Sequence, residues 1–153
     1  LINEHLKATH IRGNIATRIK KLHSGEYDAI VLARAGLEIL GLEKMIAHTF
    51  DFDHMLPAVG QGAIAIQTRT MSPYTALVRQ INHLDTFYCI SAERTALKFL
   101  DGDCHSAVGV LAQTTGDCMT LKAINYNNMK DCTVTGKILD YKQIGEKVGL
   151  AIK

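Results

Sequence analysis

The segment Arg12-Gly13-Asn14-Ile15-Ala16-Thr17-Arg18 joins residue types that together suit an anion. A glycine ahead of a helix lets backbone N–H groups approach a ligand, and a helix N-terminus favours negative charge. Arginines stand at both ends, and a guanidinium grips a carboxylate in bidentate fashion. The chemistry would be recognition of a carboxylate or a phosphate. On spacing alone a plain helix start with two solvated arginines is the favoured reading, because the segment is neither a Walker nor a dinucleotide fingerprint. Gly60-Gln61-Gly62 is a weaker signal: it admits close approach of backbone to a ligand, but by itself a bend before a strand is the favoured reading.

Cys104 stands apart from the other cysteines. It lies in the polar stretch Asp101-Gly102-Asp103-Cys104-His105-Ser106, between the end of a helical pattern and a strand pattern. A loop thiol beside an imidazole suits a nucleophile, and an incidental surface thiol is the competing reading. Cys89 falls in a helical pattern, Cys118 near a hairpin turn and Cys132 at a strand start, all explained by packing or edge positions. Successive spacings of 15, 14 and 14 residues give no CxxC pair, and there is no HExxH among the seven histidines. No metal site is expected, and free thiols in a reducing cytoplasm are.

The elements that must position these residues differ along the chain. Ile15, Ile19 and Leu22 mark one face of a short helix, with Asn14 as N-cap and Gly25 as a left-handed stop. The run Ala29-Ile30-Val31-Leu32-Ala33 suits a strand buried on both faces, and helical spacing returns from Gly36 to Ile46. That order reads as half of a doubly wound α/β layer. Residues 50–84 read as a connector, with an alternating strand at Ala63–Thr68 and a helix opened by Ser72-Pro73. A helix is predicted from Asp85 to Leu100 with Phe87, Ile90, Arg94 and Leu97 along one side. Three strands follow, Ala107–Gln113, Met119–Tyr126 and Cys132–Leu139, separated by turn clusters, and a last helix begins near Tyr141. This α+β part reads as a three-stranded antiparallel sheet with helices on one face.

The 153 residues suffice for one packed domain or two small ones. A 47% hydrophobic and 21% charged composition excludes a disordered or collagen-like chain. A net charge of +2 predicts no strong non-specific hold on nucleic acid. No apolar run reaches the ~18 residues of a membrane span. The start at Leu1 carries neither Met nor a signal-peptide layout, and a piece of a longer protein is expected.

Five blocks occur in a telling order: Arg12 to Arg18, Gly25-Glu-Tyr-Asp-Ala-Ile-Val-Leu-Ala33, Ala35-Gly-Leu37, Leu56-Pro-Ala-Val-Gly-Gln-Gly62, and Ala92-Glu-Arg94 with Gly102-x-Cys104. Together they strongly resemble the porphobilinogen deaminase (hydroxymethylbilane synthase) family, over essentially the whole chain. The resemblance implies a tetrapyrrole-pathway transferase that condenses four porphobilinogen molecules, losing ammonia each time, into hydroxymethylbilane. Growth would occur on a dipyrromethane cofactor held by a thioether to Cys104. Arg12, Gly13 and Arg18 match positions that bind the pyrrole carboxylates, and Ala33 and Gln61 match positions lining the cofactor cleft. The expected partners are porphobilinogen and the growing polypyrrole, with no nucleic acid and no membrane, in a monomeric cytoplasmic enzyme.

The resemblance also implies how the chain divides. Residues 1–56 match the second half of domain 2, an α/β remnant of a periplasmic-binding-protein-like domain. Residues 57–80 match the segment crossing back to domain 1, and residues 81–153 match domain 3, which bears the cofactor cysteine. The family's catalytic aspartate matches no position here, so the 153 residues alone are expected to be inactive. Three positions depart from the family pattern: Asp103 replaces a glycine, Ala107 a proline, and Ile39 an arginine of the cleft. A carboxylate at 103 disfavours a thiolate at 104, which a protonated His105 would offset. The competing functional class is a non-enzymatic carboxylate-binding α/β module, which would have no use for Cys104.

Overall fold

The computed structural model describes residues 5–100 and 107–153. The chain divides into two compact units, one ending at Thr49 and the other running from Phe50 to Lys153.

The second unit holds the larger core. Strands β1 (Val108–Thr115), β2 (Cys118–Asn125) and β3 (Lys130–Lys137) form an antiparallel sheet in the order β1-β2-β3. Period-two alternation turns Val108, Val110 and Ala112 of β1 and Met119, Leu121 and Ala123 of β2 to one buried face. The register sets Val110 opposite Ala123 and Ala112 opposite Leu121, so the apolar side chains meet across the strands. Two helices cover that face: α4 (Leu84–Phe99) with Ala92 and Ala96, and α5 (Tyr141–Ala151) with Ile144 and Val148. Small residues let these helices approach closely. A methyl group at Gly149 would lie 2.3 Å from the Ala96 carbonyl oxygen, and one at Gly145 would lie 2.5 Å from that of Ala92. At the far end, buried Asn125 donates from Nδ2 to the Ile152 carbonyl at 3.0 Å, tying the last turn of the chain to β2.

The connector lies partly on this sheet. Val110 N–H donates to the Pro57 carbonyl at 2.8 Å, and a methyl at Gly109 would lie 2.7 Å from the Leu56 Cβ. Lys122 on β2 donates to Asp53 at 2.9 Å. Beyond it α3 (Thr75–Gln80) is a short helix.

In the unit ending at Thr49, α1 (Ile15–His23) starts as expected, with the Asn14 side chain accepting from Thr17 N–H at 2.9 Å. Gly25 takes φ +76°, the left-handed stop. α2 (Arg34–Ile39) packs against α1 at Gly36, where a methyl would lie 2.7 Å from the Ile15 Cδ1. Leu37 is the buried apolar residue of this unit among the described residues.

Several expectations are corrected. Residues 29–33 and 63–68 form no strand. A strand needs a neighbour to close its ladder, and none of the described residues supplies one beside these runs. Ala29, Val31 and Ala33 are accordingly exposed rather than buried on both faces. The helix expected over Gly36–Ile46 is cut at Gly41, φ +66°, and resumes only as a short 3-10 turn at Glu43–Met45. Ser72-Pro73 forms a turn, with Thr75 N–H donating to the Ser72 carbonyl, and α3 starts after it. In α4 the buried residues are Ala92, Glu93 and Ala96, whereas Phe87 and Arg94 are exposed. The helix is turned so that Ala92 and Ala96 face α5, whose Gly145 and Gly149 lie directly against their backbone.

Candidate functional site

The opening of α1 is built from Arg12, Gly13, Asn14 and Arg18. Gly13 takes φ +122°, where an L side chain is strained, and an added methyl would lie 2.8 Å from Thr17 Cγ2. The position therefore requires glycine. Asn14 Oδ1 accepts from the Thr17 N–H and the Thr17 hydroxyl, both at 2.9 Å. Arg18 Nε donates to the Gly13 carbonyl at 2.7 Å, which fixes the guanidinium against the glycine. A guanidinium has five N–H donors, so the rest of the fork stays available for a carboxylate. Arg12 is exposed and makes no ion pair with a carboxylate of the described residues. Arg18 is thus held against Gly13 at the N-terminal end of α1, and Arg12 directly precedes that glycine in the chain, which makes this corner cationic. Ala33 is the N-cap residue of α2, extended at φ −67° and ψ 126°. Ile39 is an exposed apolar residue at the end of α2.

A second feature lies wholly within the unit from Phe50 to Lys153. A groove of about 410 Å³ runs between α4, the outer edge of β1 and the Gly60–Gly62 turn. Gln61 and Gly62 line it on one side, His83, Asp85 and Cys89 on the other, and Glu93 closes its floor. Burial pushes the Cys89 thiol up, nearby Glu93 and Asp85 push it further, and a hydrogen bond with Thr114 opposes them. Cys89 is therefore held as a thiol and is a poor nucleophile. Cys118 and Cys132 are free thiols at exposed and half-buried positions. Cys104, with Asp103 and His105, lies outside the described residues.

Glu93 is a groove residue that spacing did not single out, although it sits inside the Ala92-Glu93-Arg94 block. Its side chain is 4% exposed, and each oxygen accepts one backbone N–H. Oε2 accepts from Gly60 at 2.8 Å and Oε1 from Ala112 at 2.9 Å. A charged residue between Ala92 and Ala96 on a buried helix face was the available signal, because a buried carboxylate must find donors. A smaller concavity of about 270 Å³ on the open face of the sheet is lined by Asp53, His54, Lys122 and Tyr126. There Asp51 lies 2.6 Å from the His54 ring, and that hydrogen bond raises the exposed imidazole and lowers the carboxyl. Among the described residues no group of three His, Cys, Asp or Glu side chains is placed to hold a metal ion. Nor is any helix there long and apolar enough to cross a membrane.

Comparison with known proteins gives a consistent set of matches. Residues 1–76 match the family model described as porphobilinogen deaminase, dipyromethane cofactor binding domain. Residues 87–153 match the model described as porphobilinogen deaminase, C-terminal domain. The chain is 46% identical over 121 residues to a porphobilinogen deaminase of Acidithiobacillus ferrooxidans, covering 78% of this chain and 40% of that protein. It is 36% identical over 152 residues to one of Clostridium botulinum strain Langeland, covering 99% of this chain and 52% of the relative. One from Clostridium acetobutylicum is 34% identical over 149 residues, with 95% and 51% covered. The chain spans about half the length of the curated relatives it matches.

Proposed function

Because this chain belongs to the porphobilinogen deaminase family, we propose that it serves in tetrapyrrole (heme) biosynthesis. The reaction is the stepwise condensation of four porphobilinogen molecules into hydroxymethylbilane, with loss of ammonia at each step. The observation that carries this reading is the cationic corner at the start of α1, which lies inside the stretch matched by the cofactor-binding model. Each pyrrole carries acetate and propionate groups, so a dipyrromethane brings several carboxylates to its site. The donor set fits such a group. Arg12 offers an uncommitted guanidinium, Arg18 one anchored on Gly13, and Gly13 brings backbone close without a side chain in the way. Cys104 would hold the cofactor by a thioether, and Ala33 and Gln61 would line its cleft. When bound, the dipyrromethane supplies the primer on which the polypyrrole grows. The residues of this chain orient it by neutralising its carboxylates, and further carboxylates arrive with every unit added.

In this reading residues 1–56 belong to domain 2, a periplasmic-binding-protein-like layer, residues 57–80 to the crossover toward domain 1, and residues 81–153 to domain 3. The enzyme works as a cytoplasmic monomer on a small-molecule substrate, and residues 1–153 alone turn over no porphobilinogen. Intact-mass measurement on an enzyme of the relatives' length containing this sequence tests the assignment. A dipyrromethane adduct is expected, absent in Cys104→Ser. Active enzyme with an unmodified Cys104 would sink the cysteine assignment and favour a carboxylate-binding module without covalent chemistry.

A further inference from the structure

The outer edge of β1 presents N–H groups at alternate residues, and each needs an acceptor. Val110 N–H finds one in the Pro57 carbonyl at 2.8 Å, as if residues 56–58 were starting a fourth strand. Two residues on, Ala112 N–H would continue that ladder. The connector turns away instead: Gln61 N–H donates back to the Ala58 carbonyl at 3.2 Å, and Gly60 and Gly62 take φ +76° and +81°. Glu93 fills the gap. One carboxylate oxygen accepts the Ala112 N–H that the departing segment leaves behind, and the other accepts the N–H of Gly60, where the segment turns. A single charged side chain thereby stands in for a missing carbonyl and ties the start of the turn to a fixed strand edge. Gln61 follows directly and lines the groove over the same carboxylate.

We propose that Glu93 is a positioning residue whose forked hydrogen bonds set where the Gly60–Gly62 turn, and with it Gln61, stands in the groove. The functional half of this inference rests on the reading above in which Gln61 lines the cofactor cleft. Charge-assisted hydrogen bonds to backbone N–H groups are stronger than neutral ones, which suits a role of holding a turn that has two left-handed glycines. Glutamine cannot replace it. Its one carbonyl oxygen serves one N–H, while its amide group sets a donor against the other.

Two measurements test this. In the 153-residue chain, the amide protons of Gly60 and Ala112 are expected to shift together with pH, following one common midpoint, in nuclear magnetic resonance spectra. Asp85, His83 and Cys89 line the same groove, so Glu93→Gln is the control that removes one group only. It should abolish the common titration and speed exchange of the Gly60 amide, while the β2–β3 amides around Leu121 and Val134 stay unchanged. Amides that respond identically in the variant would overturn the fork. In the cofactor-carrying enzyme of the relatives' length, Glu93→Gln is expected to lower porphobilinogen turnover about tenfold, as a displaced positioning group does. Added to Gln61→Ala, it should cost no more than about twofold, because both act through one side chain. Fully multiplicative losses would overturn positioning through Gln61. Should Gln61→Ala leave turnover untouched while the amides still respond, the cleft reading of Gln61 falls and the fork alone survives.

Discussion

A carboxylate that loses its water must be compensated, and Glu93 shows how far backbone donors go. Burial pushes its carboxyl up from the ordinary glutamate value, and the hydrogen bonds from Ala112 and Gly60 pull it back only in part. The folded chain therefore holds this proton more tightly than the unfolded chain. Between the ordinary and the raised value the folded state binds more protons, so stability falls as pH rises through that window. Above it the ionised Glu93 is held at a net cost to the fold. Urea unfolding across a pH series should show this fall in the native sequence and lose it in Glu93→Gln. Equal slopes in both would mean that the fork compensates burial completely. Gly13 and Arg18 carry the opposite lesson. Their geometry is local, set by a positive φ and one short bond across a single turn, and it is stabilised by the cap at Asn14.

Among the elements, the α4–α5 pair is the most demanding. Gly145 and Gly149 on one helix face Ala92 and Ala96 on the other, with no room for a further methyl. Alanine is favoured over glycine within a helix by about 1 kcal/mol, so propensity alone predicts that Gly149→Ala stabilises. The 2.3 Å approach to the Ala96 carbonyl predicts the reverse. Overpacking of this kind costs on the order of 1–3 kcal/mol, and the net effect should be a lower urea midpoint. Gly116 is a control of a different kind, since nothing lies near it and only its φ of +57° opposes a side chain. A Gly149→Ala variant as stable as the native chain would show that the helices can part without loss.

Across the whole molecule, the two units are unequal. The unit from Phe50 onward has an eleven-residue buried cluster, whereas Leu37 is the buried apolar residue described in the unit ending at Thr49. Local opening follows the number of apolar contacts that must break. Hydrogen exchange should therefore be roughly a hundredfold faster in α1 and α2 than in β2, α4 and α5. Equal protection in both units would contradict that ranking. Much of this was legible from residues near one another in sequence. Asn14 as a cap, Gly25 as a stop, the three alternating strands, their turns and the last helix each show as a pattern within one short segment. So do the motifs that identify the family. The tertiary structure decided the rest. Residues 29–33 and 63–68 have strand composition but no strand beside them, and a ladder exists only where a second segment supplies its partners. Glu93 looked like one more charge on a helix until its acceptors met N–H groups 33 and 19 residues away. Local sequence determines which conformations a segment favours, but the partners of a buried polar group lie far along the chain, and only folding brings them within hydrogen-bond reach.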